Sequence, residues 1–250
     1  MRYFLALFFG LLFSGLDAQE SDELILQAQA LERKMDEQGA LAGYEKALLQ
    51  NEKNELLLVK CVELNISVGS RQFNLQQKTI YFEKAYSLAV KVLHYFPSSY
   101  KAYYAVALSA GKMTETDVDN KQIVEYVRQA KVYGDKALFL QPNDAKINYI
   151  LGKWHLKMVT LSWVKKAAVK ALYGGLPKGS LDSAIIYMEK CRVSDKYFTP
   201  NYLDLAVAYN ENREPAKAIA ILNLLIKLPN RVYDDAGIKE AAKKLLQDLS

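Results

Sequence analysis

Histidine and cysteine are scarce in this chain, with two of each among 250 residues. Two histidines leave little for an imidazole-based metal or catalytic site, and two cysteines cannot staple a small fold with disulfides. Glycine and proline number only 12 and 6, which excludes collagen-like and linker-like chains. Beyond the first 18 residues no apolar run approaches the roughly 20 residues a membrane span requires. Nor is there a sustained alternation of period two that would mark half-buried strands. What the chain does have is core material: 51% of residues are hydrophobic and 24% charged, the balance of a folded globular protein. A nucleophile with its base, a metal cluster and a cofactor loop are all missing from the string. The chain therefore reads as non-enzymatic, with no catalytic residue, no metal site and no cofactor.

The first residues carry an address. Arg2 precedes the apolar run Tyr3–Phe13, and Ser14, Gly15, Leu16, Asp17 and Ala18 follow. This is the pattern of a secretory signal, with cleavage expected between Ala18 and Gln19. The run is too short for a membrane anchor, and no cysteine stands at the end of the signal, so no lipid anchor of the bacterial kind is expected. Residues 1–18 are read as the cleaved signal and 19–250 as one helical-repeat domain, periplasmic or secreted. Removal of Arg2 and Asp17 takes one charge of each sign and leaves the net charge at +5. Cys61 and Cys191 fall at small, inward-facing positions of the helical pattern and are expected to be buried free thiols.

From Leu24 onward apolar residues recur at steps of three and four, as in Phe82, Ala85, Tyr86, Ala89, Val92, Leu93 and Phe96 before Pro97. Pro97, Gly111, Pro142, Gly174, Gly175, Pro177, Pro200, Pro215 and Pro229 are read as helix boundaries. Small residues also return with a period of about 34, the mark of stacked helix pairs. The clearest unit has Tyr202, Leu205, Ala206 and Tyr209 on its first helix and Ala218, Leu222 and Leu225 on its second. These residues resemble the tetratricopeptide pattern. The template recurs through Ala28, Leu31, Ala40, Tyr44 and Ala47, then Ala85, Ala89 and Val92. It returns with Tyr103, Val106, Ala107, Ala130, Gly134 and Ala137, and again with Leu151, Gly152 and Ala184. Insertions are expected around Ser70–Gln77, Met113–Asn120 and Leu161–Ser180. The expected fold is an all-α solenoid of about four to five helix pairs, closed by a capping helix over roughly Asp235–Leu249 with Asp234 as its cap.

Leu151-Gly152-Lys153-Trp154-His155, followed by Leu161-Ser162-Trp163, Ala167, Ala168, Ala171, Leu172, Pro177 and Ala184, resembles the regulator of microtubule dynamics family. So does the ending from Leu228-Pro229 to Asp234-Asp235. That resemblance implies a helical-repeat interaction domain, for some members a role in binding or moving phospholipids, and no catalytic residues. The export signal sets this chain apart, because a protein outside the cytosol does not meet microtubules.

Several short strings mimic chemical motifs. Gly174-Gly175-Leu176-Pro177-Lys178-Gly179-Ser180 lacks the lysine after Gly179 and the preceding strand of a phosphate loop, and is read as a helix connection. Asp117, Asp119 and Asn120 lack the glycine and glutamate of a calcium loop and are read as a helix cap. His94 and His155 have no ligand-spaced partner. Asn65-Ile66-Ser67 matches a glycosylation sequon inside a helix. Trp154, Trp163 and Tyr173 are read as packing residues.

One electrostatic feature remains. Between Ala145 and Leu181 stand Lys146, Lys153, Lys157, Lys165, Lys166, Lys170 and Lys178, with no carboxylate among them. On the repeat template Lys146, Tyr149, Lys153 and Lys157 fall at concave-face positions of one helix, and Lys101 and Tyr104 at those of its neighbour. These six are the candidate ligand-binding residues. The expected function is an exported scaffold that binds a peptide or protein partner of the cell envelope through this face. The alternative is a carrier or sensor of an anionic amphiphile such as a phospholipid. Nucleic acid is not expected as a partner, since no recognised binding module accompanies the basic stretch.

Overall fold

The computed structural model of the chain describes residues 21–162, 170–172 and 174–249. The expected export signal lies outside the described residues, as do Trp163, Lys165, Lys166 and Tyr173. Among the described residues helices alternate with loops and no strand occurs. The chain divides into two compact units, Met1–Pro97 and Ser98–Ser250. The first contains α1 (21–33), α2 (Glu37–Gln50), α3 (Glu55–Ser70) and α4 (Leu75–Tyr95). The second contains α5 (Tyr100–Met113), α6 (Asn120–Leu140), α7 (Ala145–Thr160), α8 (Leu181–Ser194), α9 (Thr199–Glu211), α10 (Pro215–Lys227) and α11 (Asp235–Leu249).

Helix starts follow from local chemistry. Asp36, Asn54, Asn74, Ser99, Asp119, Asp144 and Ser180 each stand just before a helix and accept a backbone N–H from its first turn. Each such cap satisfies an otherwise orphaned donor and contributes about 1 kcal/mol. Asp119 thus caps α6 by accepting from the Gln122 N–H at 2.8 Å. Helices α9 and α10 use proline in the first turn instead, where its missing N–H costs nothing.

The helices pack as antiparallel pairs. In the first unit α2 packs on α3 and α3 on α4. A Cβ on Gly43 of α2 would lie 3.0 Å from Ala28 Cβ, so α1 and α2 are also in close approach. In the second unit each helix packs on the next from α5 to α11, and α5, α7 and α9 also touch in turn. The small residues of the repeat sit in the seams: Ala28, Ala40, Ala85, Ala107, Ala184, Ala206 and Ala218 have no exposed surface. A Cβ on Gly152 would come within 2.7 Å of Met188 Cγ and 3.1 Å of the Ala184 carbonyl oxygen, so glycine there lets α7 and α8 close on each other. Cys61 and Cys191 are free and buried.

Two boundary expectations need correction. Gly111 lies inside α5 rather than between helices, because the helix runs on to Met113. The insertion expected over Ser70–Gln77 is only partly a loop: Ser70 still belongs to α3, and Leu75–Gln77 already form the first turn of the 21-residue α4. The last helix is anchored by Asp235 itself. Its buried carboxylate accepts from the Thr199 hydroxyl at 2.5 Å and from the backbone N–H groups of Arg231 and Val232. The start of α9 is thereby tied to the start of α11.

Candidate functional site

Helices α5, α7 and α9 are the first members of three successive pairs, and they lie side by side as one wall of the second unit. The 3.6-residue turn places Lys146, Tyr149, Lys153 and Lys157 along one stripe of α7. Lys146 and Lys157 are exposed, while Tyr149 and Lys153 are half-buried. On α5 Lys101 is half-buried and Tyr104 is buried, so Tyr104 supports the wall from beneath.

Lys153 and Lys157 are each drawn into an ion pair. Lys153 Nζ donates to Asp204 Oδ2 of α9 at 2.9 Å and to the Tyr149 hydroxyl at 3.0 Å. Tyr149 in turn donates to the same Asp204 oxygen at 2.7 Å. Its ring meets Phe198, just before α9, edge-on at 4.9 Å between centroids. Burial and the Asp204 carboxylate hold the Tyr149 phenol well above its ordinary pKa. Burial opposes the charge on Lys153, but the Tyr149 and Asp204 oxygens outweigh it and raise the ammonium above its ordinary value.

A second network lies at the C-terminal end of the stripe. Glu115, in the loop after α5, accepts from Lys157 Nζ at 3.0 Å and from Lys112 Nζ at 3.1 Å. Burial pushes the Lys112 ammonium below its ordinary value; Glu115 resists this, and Lys153 and Lys157 add to it. Burial likewise acts to raise the Glu115 carboxyl, yet Lys112 and Lys157 outweigh it and hold the group below the usual carboxylate range.

Asp204, Glu115 and Lys112 complete the arrangement and are absent from the residues singled out by sequence alone. Their signal lies in the same wall positions read across neighbouring repeats, since Lys112 continues the α5 stripe and Asp204 lies on the wall face of α9. A charge count along α7 alone does not find them.

The opposite face of α7 carries His155, which is buried against Trp154 and Tyr187. Its Nδ1 accepts the Ser180 N–H at 3.3 Å, which leaves the ring proton on Nε2. Burial and Lys131 lower its pKa, with Asp135 opposing. The segment before α8 returns to this point: a Cβ on Gly179 would come within 2.8 Å of the His155 carbonyl oxygen, and Arg128 donates to the Gly175 carbonyl at 3.0 Å. Trp154 packs α7 onto α6, its indole N–H donating to the Val127 carbonyl at 2.9 Å. Among the described residues no three His, Cys, Asp or Glu side chains cluster to hold a metal ion. No described helix is long and apolar enough to cross a membrane.

A solved structure of a thermophilic tetratricopeptide-repeat protein from Thermus thermophilus superposes with a TM-score of 0.64 at 14% identity, covering 91% of this chain and 99% of that one. At that identity the likeness is one of fold, a helical-repeat scaffold. Human Regulator of microtubule dynamics protein 2 is 24% identical over 178 residues, which is 70% of this chain and 43% of the human protein. This chain thus spans less than half of that relative. Regulator of microtubule dynamics protein 1 of Caenorhabditis elegans is 26% identical over 187 residues, 75% of this chain and 80% of the worm protein. These relatives are named for regulation, and neither is named as an enzyme. The sequence profile of Regulator of microtubule dynamics protein 1-3 matches residues 24–250. That match takes in the Leu-Gly-x-Trp run of α7, the anchored start of α11 and every described helix pair, and the chain belongs to the regulator of microtubule dynamics family.

Proposed function

We propose that the protein is a non-enzymatic, exported scaffold whose α5–α7–α9 wall, the concave face of the repeat, holds an extended peptide or a protein partner in the cell envelope. The observation that carries this reading is the interleaving of charge on the wall: Lys112 and Lys157 with Glu115, and Lys153 with Asp204. Ordered charges of both signs suit a polypeptide, which offers carboxylates, amines and amides in alternation. An anionic amphiphile is the second reading, supported by the excess of lysine on the wall. It would also need an apolar bed for its tails, and among the described residues α5, α7 and α9 expose no large apolar side chain.

A photoreactive amino acid placed at Lys146 in the protein expressed in its own cells tests this. A discrete crosslinked polypeptide is expected. Crosslinks to lipid alone would favour the amphiphile, and an uncrosslinked protein would defeat both readings. Export rests on residues 1–18, and N-terminal sequencing of the mature protein should begin at Gln19.

A further inference from the structure

The Lys112–Glu115–Lys157 network has a geometry that the fold does not require. Lys112 stands in the last turn of α5 and Lys157 in the last turn of α7, and the two ammonium groups converge on one carboxylate supplied by the loop between α5 and α6. Gly111 precedes Lys112, and apart from its chain neighbours and the helix's own backbone no atom lies within 4 Å of the place a Cβ would take there. Glycine in a helix interior is unfavourable, and here no packing contact compensates for it. The open space therefore adjoins Lys112, the chain neighbour of Gly111 and one of two lysines that share an internal carboxylate, itself partly exposed and carried on a loop.

Charge on the wall points the same way. Along α5, α7 and α9 themselves Lys101, Lys112, Lys146, Lys153 and Lys157 stand against Asp204 and Glu211 alone, while the acids Glu115, Asp117 and Asp119 are confined to the loop after α5. A carboxylate entering beside Gly111 meets two ammonium groups already gathered by desolvating contacts, which charge-assisted hydrogen bonds reward.

We propose that Lys112 and Lys157 are the receptor for an acidic side chain of the bound polypeptide, that Gly111 leaves the room for it, and that Glu115 is an internal carboxylate which occupies the receptor until the partner displaces it. This rests on the peptide-binding reading of the wall. It adds the class of residue recognised and the contact that keeps the site closed.

The test is a binding titration of the mature chain with a fluorescein-labelled decapeptide of alternating glutamate and alanine, beside vesicles of phosphatidylcholine with phosphatidic acid. Glu115→Gln removes the competitor and should tighten peptide binding about five-fold, the scale on which partly exposed ion pairs act. Lys112→Gln with Lys157→Gln in the Glu115→Gln background should cancel the gain, and Gly111→Phe should abolish it by filling the space. A merely structural Glu115 would leave peptide affinity unchanged or weaker, and that result overturns the proposal. A gain for vesicles without one for peptide also overturns it, in favour of a phosphate head group. If the Lys146 crosslink persists while Glu115→Gln has no effect, the subsite fails and the wall reading survives. Loss of the crosslink as well removes both.

Discussion

Tyr149 on α7 and Asp204 on α9 lie 55 positions apart in sequence, and the phenolic hydroxyl donates to the carboxylate at 2.7 Å. Lys153 joins the same oxygen, so one carboxylate ties two successive first helices together. This is a contact between repeats, and it fixes how α7 and α9 stand against each other.

Loss of that carboxylate strands two donors. Asp204→Ala should destabilise the second unit by about 1–2 kcal/mol, a value tempered by the partial exposure of Lys153. Tyr149→Phe should cost about 1 kcal/mol because Lys153 keeps its pairing. Urea unfolding of each single variant and the double variant gives the coupling energy. Additive effects would show that the three groups are neighbours without being a network.

Two glycines in helices should respond to alanine with opposite sign. Gly152→Ala drives a methyl to within 2.7 Å of Met188 Cγ and 3.1 Å of a backbone oxygen, which should cost about 2 kcal/mol. Gly111→Ala meets no atom and should stabilise α5 by about 0.5–1 kcal/mol through helix propensity. Thermal melts of the two variants measure this, and equal shifts would contradict the packing described for α7 and α8.

The helix pairs are legible in the sequence because their signals are local. Ala206, Leu205 and Tyr209 announce one face of one helix, and all three are buried. The wall is legible only in half. Lys146, Lys153 and Lys157 can be placed on a stripe from spacing alone, but the partners Glu115 and Asp204 arrive from 42 and 51 positions away. A stretch without a carboxylate along the chain looks like an unpaired basic patch, whereas stacking sets one acid from α9 and one from the loop after α5 against its lysines. Asp235 escapes a sequence reading for a related reason. Asp234 stands where a cap belongs, while the buried anchor is one residue later and takes its hydroxyl partner from α9.

Burial pushes the Cys61 and Cys191 thiols up to about 12, with nearby carboxylates adding to the effect. The thiolate is the reactive form, so both groups should be inert in the native protein. Titration with Ellman's reagent at mildly alkaline pH should find no fast thiol in buffer and both thiols in urea. Fast labelling without denaturant would place at least one cysteine at the surface.

His155 should make stability fall on acidification. Its folded pKa lies below the ordinary value of 6.5 because burial and Lys131 disfavour the charge, with Asp135 only partly compensating. As pH falls through that ordinary value the unfolded chain takes up the proton first, so ΔG of unfolding declines until the folded pKa is passed and is level below it. The slope cannot exceed about 1.4 kcal/mol per pH unit. Protonation also puts a hydrogen on Nδ1, opposite the Ser180 N–H it now accepts, which loosens the start of α8. His155→Asn keeps an acceptor near Nδ1 and cannot titrate. Urea midpoints between about pH 7.5 and 5, the window that brackets an ordinary histidine, should fall in the wild type and fall less in this variant, and parallel curves would assign the acid sensitivity to another group.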